Sequence, residues 1–452
     1  MDKNSSARAA AEQAADGSGF DALWSSLHGI GRDAGSGGYR RFVWGEADLA
    51  CRDWFEAQAA DRGLRVETDR NGNQWATWEP DHDHDHIGNE PSEPAADPNT
   101  PDSTTTTSAQ TTTPGALAIG SHLDSVPDGG AFDGPLGVIS SLAAIDLLRS
   151  RGWRPARRIV VANFADEEGA RFGVACAGSR LMTGQLAPDR ARALRDADGT
   201  RLADAMERAG RDPGLLGRDE DRLAGIAQFV ELHIEQGRRL VDEDAAVGVA
   251  AAIWPHGRWC FDFTGEANHA GTTALSERRD PMLTYAHTVL SARKKAAQAG
   301  ALATFGRLQV DPNGTNAIPS RVRAWLDGRA PDEARLKAVL EQITTAASER
   351  ALRDGTSVNV TNESFTGRVD FDETLRNRLH RVLGGAPILP TGAGHDAGIL
   401  AAEVPTAMLF VRNPTGLSHS PGEHAETVDC LSGVVALTDV IADLAGGERG
   451  PV

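Results

Sequence analysis

Residues 116–148 read ALAIGSHLDSVPDGGAFDGPLGVISSLAAIDLL, and this stretch decides the fold. Ala116 to Gly120 is a short apolar run of strand type; after a polar, glycine-rich segment, residues 136–148 have the composition of a buried helix. A strand that hands over to a helix is one unit of an α/β sheet. Three more apolar runs of the same kind follow: RIVVANFA (158–165), QFVELHI (228–234) and TAMLFV (406–411). Together they predict an α/β domain, its mixed sheet covered by helices on both faces. In such sheets ligands gather beyond the carboxyl ends of the strands. Each of the four runs carries His, Asp or Glu within it or shortly after it.

Outward from this stretch the chain divides. Upstream, residues 46–62 place Leu49, Trp54 and Phe55 among charges at roughly helical spacing, and Gly63 ends the run. Residues 64–67 and 74–78, on either side of Asn71-Gly72-Asn73, read as a hairpin-like pair. Residues 79–114 are Pro-, Thr- and Asp-rich with almost nothing apolar to bury, which predicts a disordered insertion. Downstream, the pattern changes at about 247. WCFDFTG (259–265), a helix at 280–298, ATFGRLQV (303–310), VRAWLDGR (322–329), a helix at 332–353 and SVNVTNES (357–364) follow one another. That β-α-β-β-α-β order is the one of a small ferredoxin-like α+β module. The expected organisation is a catalytic domain in two parts, 1–246 and 367–452, with the module at 247–366 inserted between them.

The chain has 452 residues, enough at about 150 per domain for two or three domains. Lys and Arg number 46 against 64 Asp and Glu, a net charge of −18. Nucleic acid and anionic membrane surfaces repel such a chain, so neither is expected as a partner. No apolar run reaches the length of a membrane span, and MDKNSSARAAAEQAADGSGF at the start lacks the apolar core of a signal peptide. Cys51, Cys176, Cys260 and Cys430 lie far apart and form no CxxC pair, usage that fits a reducing compartment. A cytoplasmic location is expected.

Several clusters carry the chemistry. His122 stands two residues before Asp124, a pairing suited to a metal ligand and the partner that fixes its tautomer. Asp133 lies in a glycine-rich turn, whose backbone freedom lets a carboxylate press between two cations. Asp166-Glu167-Glu168-Gly169 ends an apolar strand with adjacent glutamates, which repel unless a proton or cation intervenes. One of such a pair can ligate a metal while its neighbour acts as general base. His233 lies inside an apolar run, and His419 follows the run at 406–411. Taken singly, each admits an ordinary reading as polar loop, turn aspartate, solvated charge run or satisfied core histidine. Taken together, three histidines and two or three carboxylates near strand ends supply the ligands of a two-metal site. No HExxH, G-x-S-x-G or P-loop sequence offers a rival chemistry. The His-Asp alternation from Asp81 to His86 is read as solvated, with no catalytic role.

Seven motifs run in order along the chain: GSHLDSVPDGGAFDGPLGV, FADEEGARFG, ELHIEQG, NHAGTT, TNAIPS, GAGHDAG and SHSPGEHA. In that order the chain resembles the amidohydrolase family of allantoate amidohydrolases, N-carbamoyl-L-amino acid hydrolases and β-ureidopropionases. These are relatives of the dimetal aminopeptidases and aminoacylases. The resemblance covers nearly the whole chain from about Phe20, except 79–114. It implies that His122, Glu168, His233 and His419 ligate two divalent ions per subunit and that Asp133 bridges them. Nitrogen and oxygen ligands without Cys suit Zn or Mn, with Co or Ni also compatible. The resemblance makes Asp124 the residue that orients His122 and Glu167 the general base, and it suggests a cis peptide at Asp133–Gly134. His269 resembles the residue that stabilises the oxyanion. Gln236, Asn316 and Arg329 resemble substrate-binding positions, Arg329 clamping a carboxylate as a fork. Gly394 and His395 line the same pocket. The inserted module is implied to be a lid and the surface that joins two copies into a homodimer.

The activity implied is metal-assisted hydrolysis of a small ureido or carbamoyl carboxylate, releasing ammonia and carbon dioxide. Allantoate is the expected substrate, followed by an N-carbamoyl-L-amino acid and then an N-formyl or N-acyl amino acid. Dipeptides are not favoured, because ELHIEQG and NHAGTT resemble the ureido-cleaving branch. The reading from a different class is a non-catalytic metal-binding protein of the same fold. Glu167 beside Glu168 speaks against it, because holding metal needs no base.

Overall fold

The four apolar runs form the centre of a nine-stranded sheet in the computed structural model, which describes residues 17–80 and 115–449. In spatial order they are Ile159–Phe164, Ala116–His122, Ile226–Ile234 and Thr406–Val411, each parallel to its neighbour. Burial on both faces explains why they read as continuous apolar runs. Antiparallel strands flank them: Gln74–Trp78 and then Arg65–Thr68 on one side, Val247–Ile253 on the other.

The period of two sorts the side chains between two cores. Leu117, Ile119, Val161, Leu232 and Leu409 pack with the helices Pro135–Ser150 and Thr427–Ala445. Ala118, Val160, Phe229, Met408 and Phe410 pack on the opposite face with Met182, Leu223, Ala397 and Leu400 from short helices. Each fully buried Leu or Ile here contributes about 1.5–3 kcal/mol. By the same alternation Glu231 and His233 share the second face with Phe229, at the carboxyl end of their strand.

Residues 256–366 build a second sheet of four antiparallel strands, in the order Leu302–Asp311, Arg321–Arg329, His256–Thr264 and Ser357–Thr366. Helices Pro281–Ala299 and Glu333–Asp354 cover one face, their first turns capped by Asp280 and Asp332. Val322, Ala324 and Leu326 point into that core beside Phe261 and Phe263. Arg321, Arg323, Trp325, Asp327 and Arg329 therefore take the face without helices.

One boundary differs from the sequence reading. Val247–Ile253 is a strand of the large sheet, not the start of the inserted module, which begins at His256. Its small apolar residues are buried on both sides, as a strand between two cores requires. The two crossings between the sheets run side by side: Ile253 pairs with Val369, and His256 with Thr366. Of the insertion expected at 79–114, only Glu79 and Pro80 lie within the described residues; the alternation from Asp81 to His86 lies outside them. No helix among the described residues is long and apolar enough to cross a membrane.

Candidate metal centre

His122 ends its strand with its ring fully buried. Its Nδ1 stands 3.2 Å from the carbonyl oxygen of Asp124 and 3.4 Å from Asp124 Oδ1. His233 Nδ1 stands 2.9 Å from the carbonyl oxygen of Ile234. A carbonyl can only accept, so each Nδ1 carries a hydrogen and Nε2 is the ring nitrogen left to face the centre. Both Nε2 atoms are buried without a hydrogen-bond partner, and the two rings stack 5.9 Å apart.

They face one carboxylate. Asp133 Oδ1 is 3.6 Å from His122 Nε2 and 3.1 Å from His233 Nε2. Asp133 Oδ2 is 3.4 Å from His419 Nε2, which is itself 3.5 Å from Glu168 Oε2. Two groups thus share Asp133: His122–Asp133–His233 and Asp133–Glu168–His419. Within each, the candidate ligand atoms lie within 4.8 Å of one another. Buried imidazole nitrogens with no hydrogen-bond partner, turned toward a shared carboxylate, fit a pair of cations. The turn that aims Asp133 depends on Gly134, where φ is +84° and a Cβ would stand 2.5 Å from the ring of His122. The cis bond expected at Asp133–Gly134 is not found. Asp311–Pro312 is the cis peptide among the described residues, and Gly134 makes the turn through its positive φ with a trans bond.

The sequence profile of Peptidase family M20/M25/M40 matches residues 118–443, which include every member of both groups. The chain belongs to this family. N-carbamoyl-L-amino acid amidohydrolase of Geobacillus stearothermophilus is 40% identical over 346 residues, 74% of this chain and 82% of that protein. Allantoate amidohydrolase of Escherichia coli (strain K12) is 33% identical over 337 residues, 72% of this chain and 80% of that protein. A solved amidase of the hydantoinase/carbamoylase family from Burkholderia vietnamiensis superposes with a TM-score of 0.79 at 26% identity. The match covers 96% of this chain and 98% of the other.

In this M20/M25/M40 chain the centre carries excess negative charge. Burial pushes Glu167 and Glu168 well above the usual glutamate range, and neighbouring carboxylates add to it. Burial opposes a charge on His122, yet Glu167, Asp124 and Asp133 outweigh it and lift the imidazole well above its usual range. Burial would raise Asp133 as well, but His122 and His233 hold it well below. Divalent cations offset such an arrangement directly.

The other expected residues fall into two sets. Asp124 does more than face His122: its two oxygens accept the amides of Glu167 and Glu168 at 3.1 and 3.0 Å, anchoring that turn. Glu167 Oε2 is 3.8 Å from His122 Nε2, and Oε1 accepts the Cys176 thiol at 3.4 Å. Gln236 Nε2 donates to Asp133 Oδ2 at 2.8 Å and to Ser418 Oγ at 3.0 Å, so it supports the shared carboxylate. His395 is buried after Gly394, its ring 4.5 Å from that of His233. Arg329 lies on the small sheet but touches the large domain: Asp327 accepts from Nε and Nη2, and the carbonyl of Gly392 accepts from Nη1. His269 and Asn316 are not brought to the centre. Both are exposed, around the short pair Asn268–His269 and Ala317–Ile318. That pair precedes Arg321, so the nine-residue strand ending at Arg329 separates the two sets by about 26 Å.

Glu423 had no assigned role in the sequence reading. Its Oε1 accepts the amides of Phe132 and Asp133 at 3.0 and 2.9 Å, holding the turn of the shared carboxylate. Burial, with the charge of Asp133 beside it, pushes its pKa up to about 7. The only sequence signal was its place in the SHSPGEHA motif.

Proposed function

We propose that the chain is a metal-dependent amidohydrolase that cleaves the carbon–nitrogen bond of a small ureido or carbamoyl carboxylate. The observation that carries this reading is Asp133 shared by two histidine-containing groups, with Glu167 beside them. His122 and His233 with Asp133 would hold one divalent ion, and Glu168 and His419 with Asp133 the other. Zn or Mn, and also Co or Ni, suit these donors. Bound ions supply a Lewis acid for the carbonyl oxygen and lower the pKa of water. Glu167 takes the proton of the attacking water on Oε2, the oxygen turned toward His122, and passes it to the leaving nitrogen. Arg329 binds the substrate carboxylate. Of its five N–H bonds three are taken by Asp327 and Gly392, and two remain.

Allantoate is the first candidate substrate, supported by the likeness to the Escherichia coli enzyme. The 40% identity to the Geobacillus protein favours an N-carbamoyl-L-amino acid as the second. In either case the small sheet serves as a lid, and a second copy of the chain completes the site with His269 and Asn316. Leu283 and Leu290, seven residues apart on one helix, are 53% and 69% exposed, and Leu308 on the edge strand is 43% exposed. An apolar surface beside an open strand edge is what a second copy covers. Four free cysteines support a cytoplasmic location, and action on allantoate would belong to purine catabolism.

Ammonia release tests the reading. Full-length protein loaded with Zn²⁺ or Mn²⁺ is offered allantoate and, in parallel, a series of N-carbamoyl-L-amino acids. Release from one class assigns the substrate. No release from any of them, with the ions shown to be bound, refutes the proposal.

A further inference from the structure

The cleft does not end at the metal ligands. Gly394 precedes His395, and a Cβ at Gly394 would lie 3.9 Å from Cε1 and 4.0 Å from Nε2 of His256. A Cβ at Gly392 would lie 4.0 Å from Cδ of Arg329. One short loop therefore lies against both side chains and leads directly to the ring that packs on His233.

His256 and Arg329 are cross-strand partners in register, so their side chains stand together on the face of the small sheet that has no helices. His256 Nδ1 is 3.1 Å from the carbonyl oxygen of Trp254. Because that oxygen can only accept, Nδ1 carries the hydrogen, and the neutral ring keeps a lone pair on Nε2. Burial pushes the pKa of His256 down and the Arg329 cation pushes it further, against the Trp254 carbonyl and Asp327, so the ring is neutral. No protein group among the described residues donates to Nε2. The pair thus offers a cation and, beside it, a hydrogen-bond acceptor.

We propose that His256 is a specificity-determining residue whose Nε2 accepts a hydrogen bond from an N–H carried on the carbon that bears the substrate carboxylate. The inference rests on the amidohydrolase reading and on Arg329 as the carboxylate clamp. Ureido carboxylates have both groups in this arrangement: the carboxylate meets Arg329, and the adjacent nitrogen turns its hydrogen to His256. A substrate methylated on that nitrogen loses the donor and leaves the imidazole lone pair unmatched, which a site built for a hydrogen bond rejects.

The test uses full-length, metal-loaded wild type, His256→Leu and His256→Gln, with metal content measured for each. The substrates are allantoate, N-carbamoyl-L-alanine and the counterpart of the latter methylated on the α-nitrogen. Wild type should prefer the N–H substrate to its methylated counterpart by about tenfold or more. His256→Leu should raise KM for N–H substrates about tenfold with a smaller change in kcat, and should shrink the preference. His256→Gln, whose Oε1 can stand where Nε2 stood, should restore most of both. An unchanged KM and preference in His256→Leu overturns the proposal. So does equal loss in both variants, which would indicate packing alone. If wild type hydrolyses none of the substrates, the amidohydrolase reading fails and takes this inference with it.

Discussion

The strand ends of the large sheet and the small sheet with its adjoining short strand pair carry candidate site residues under opposite conditions. His122 and His233 are fully buried and Asp133 nearly so, each fixed by backbone contacts or by a glycine turn. His269 and Asn316 are exposed on and beside the short pair that precedes Arg321, and Arg329 is half-buried at the other end of that strand. A metal ligand gains by being fixed before its ion arrives, because nothing remains to be ordered on binding. A substrate contact must open to admit its ligand, so it belongs on an element that can stand apart from the core. The candidate ligands and the candidate substrate contacts are placed accordingly.

Three changes probe that contrast, from the largest expected effect to the smallest. Glu167→Gln should lower turnover by about 10²–10⁴-fold with both ions retained, read by ammonia release and metal analysis of the same sample. Activity close to wild type would remove the large-sheet turn from the chemistry. For the short pair beside the small sheet, His269→Ala and Glu167→Gln proteins should each be inactive, but an equimolar mixture in which the subunits exchange should recover about a quarter of wild-type activity. That recovery is expected because half of the dimers hold one intact site. If the subunits exchange and nothing is regained, His269 serves its own copy and the contrast fails. Glu423→Ala should weaken metal retention about tenfold to hundredfold in a chelator competition. Glu423→Gln should do less, because its carbonyl still accepts the amides of Phe132 and Asp133. Equal retention in all three proteins would show that the Gly134 turn and Gln236 aim the shared carboxylate without Glu423.

Much of the large sheet was legible in advance, for a physical reason. Parallel strands buried on both faces must be apolar throughout, and His233 stands out inside such a run while His122, Glu168 and His419 stand out among the polar residues that follow one. The strand at Val247–Ile253 was misassigned for the same reason in reverse. Its small residues give no alternation and no polar end, so composition alone could not attach it to either sheet. Glu423 was out of reach in another way. It acts on Asp133 across 290 residues, and a loop glutamate that accepts two amides reads like any other. Gln236 also owes its position to a long-range contact, with Asp133. His256 lies at the start of a strand that the alternation placed three residues later.

The paired crossings between the sheets have a mechanical consequence. With Ile253 joined to Val369 and His256 to Thr366, the small sheet hangs on two adjacent chain segments rather than on one tether. Such a strap bends readily about one axis and resists twisting about the others. Arg329 and His256 sit next to that axis, while His269 and Asn316 ride at the end of a lever arm of about 26 Å. A swing of about 10° would carry the far pair some 5 Å, roughly the width of a small ligand, and leave the near pair almost still. On the roles proposed for Arg329 and His269, gripping a carboxylate and sweeping a distant group into place would be separated along a single strand.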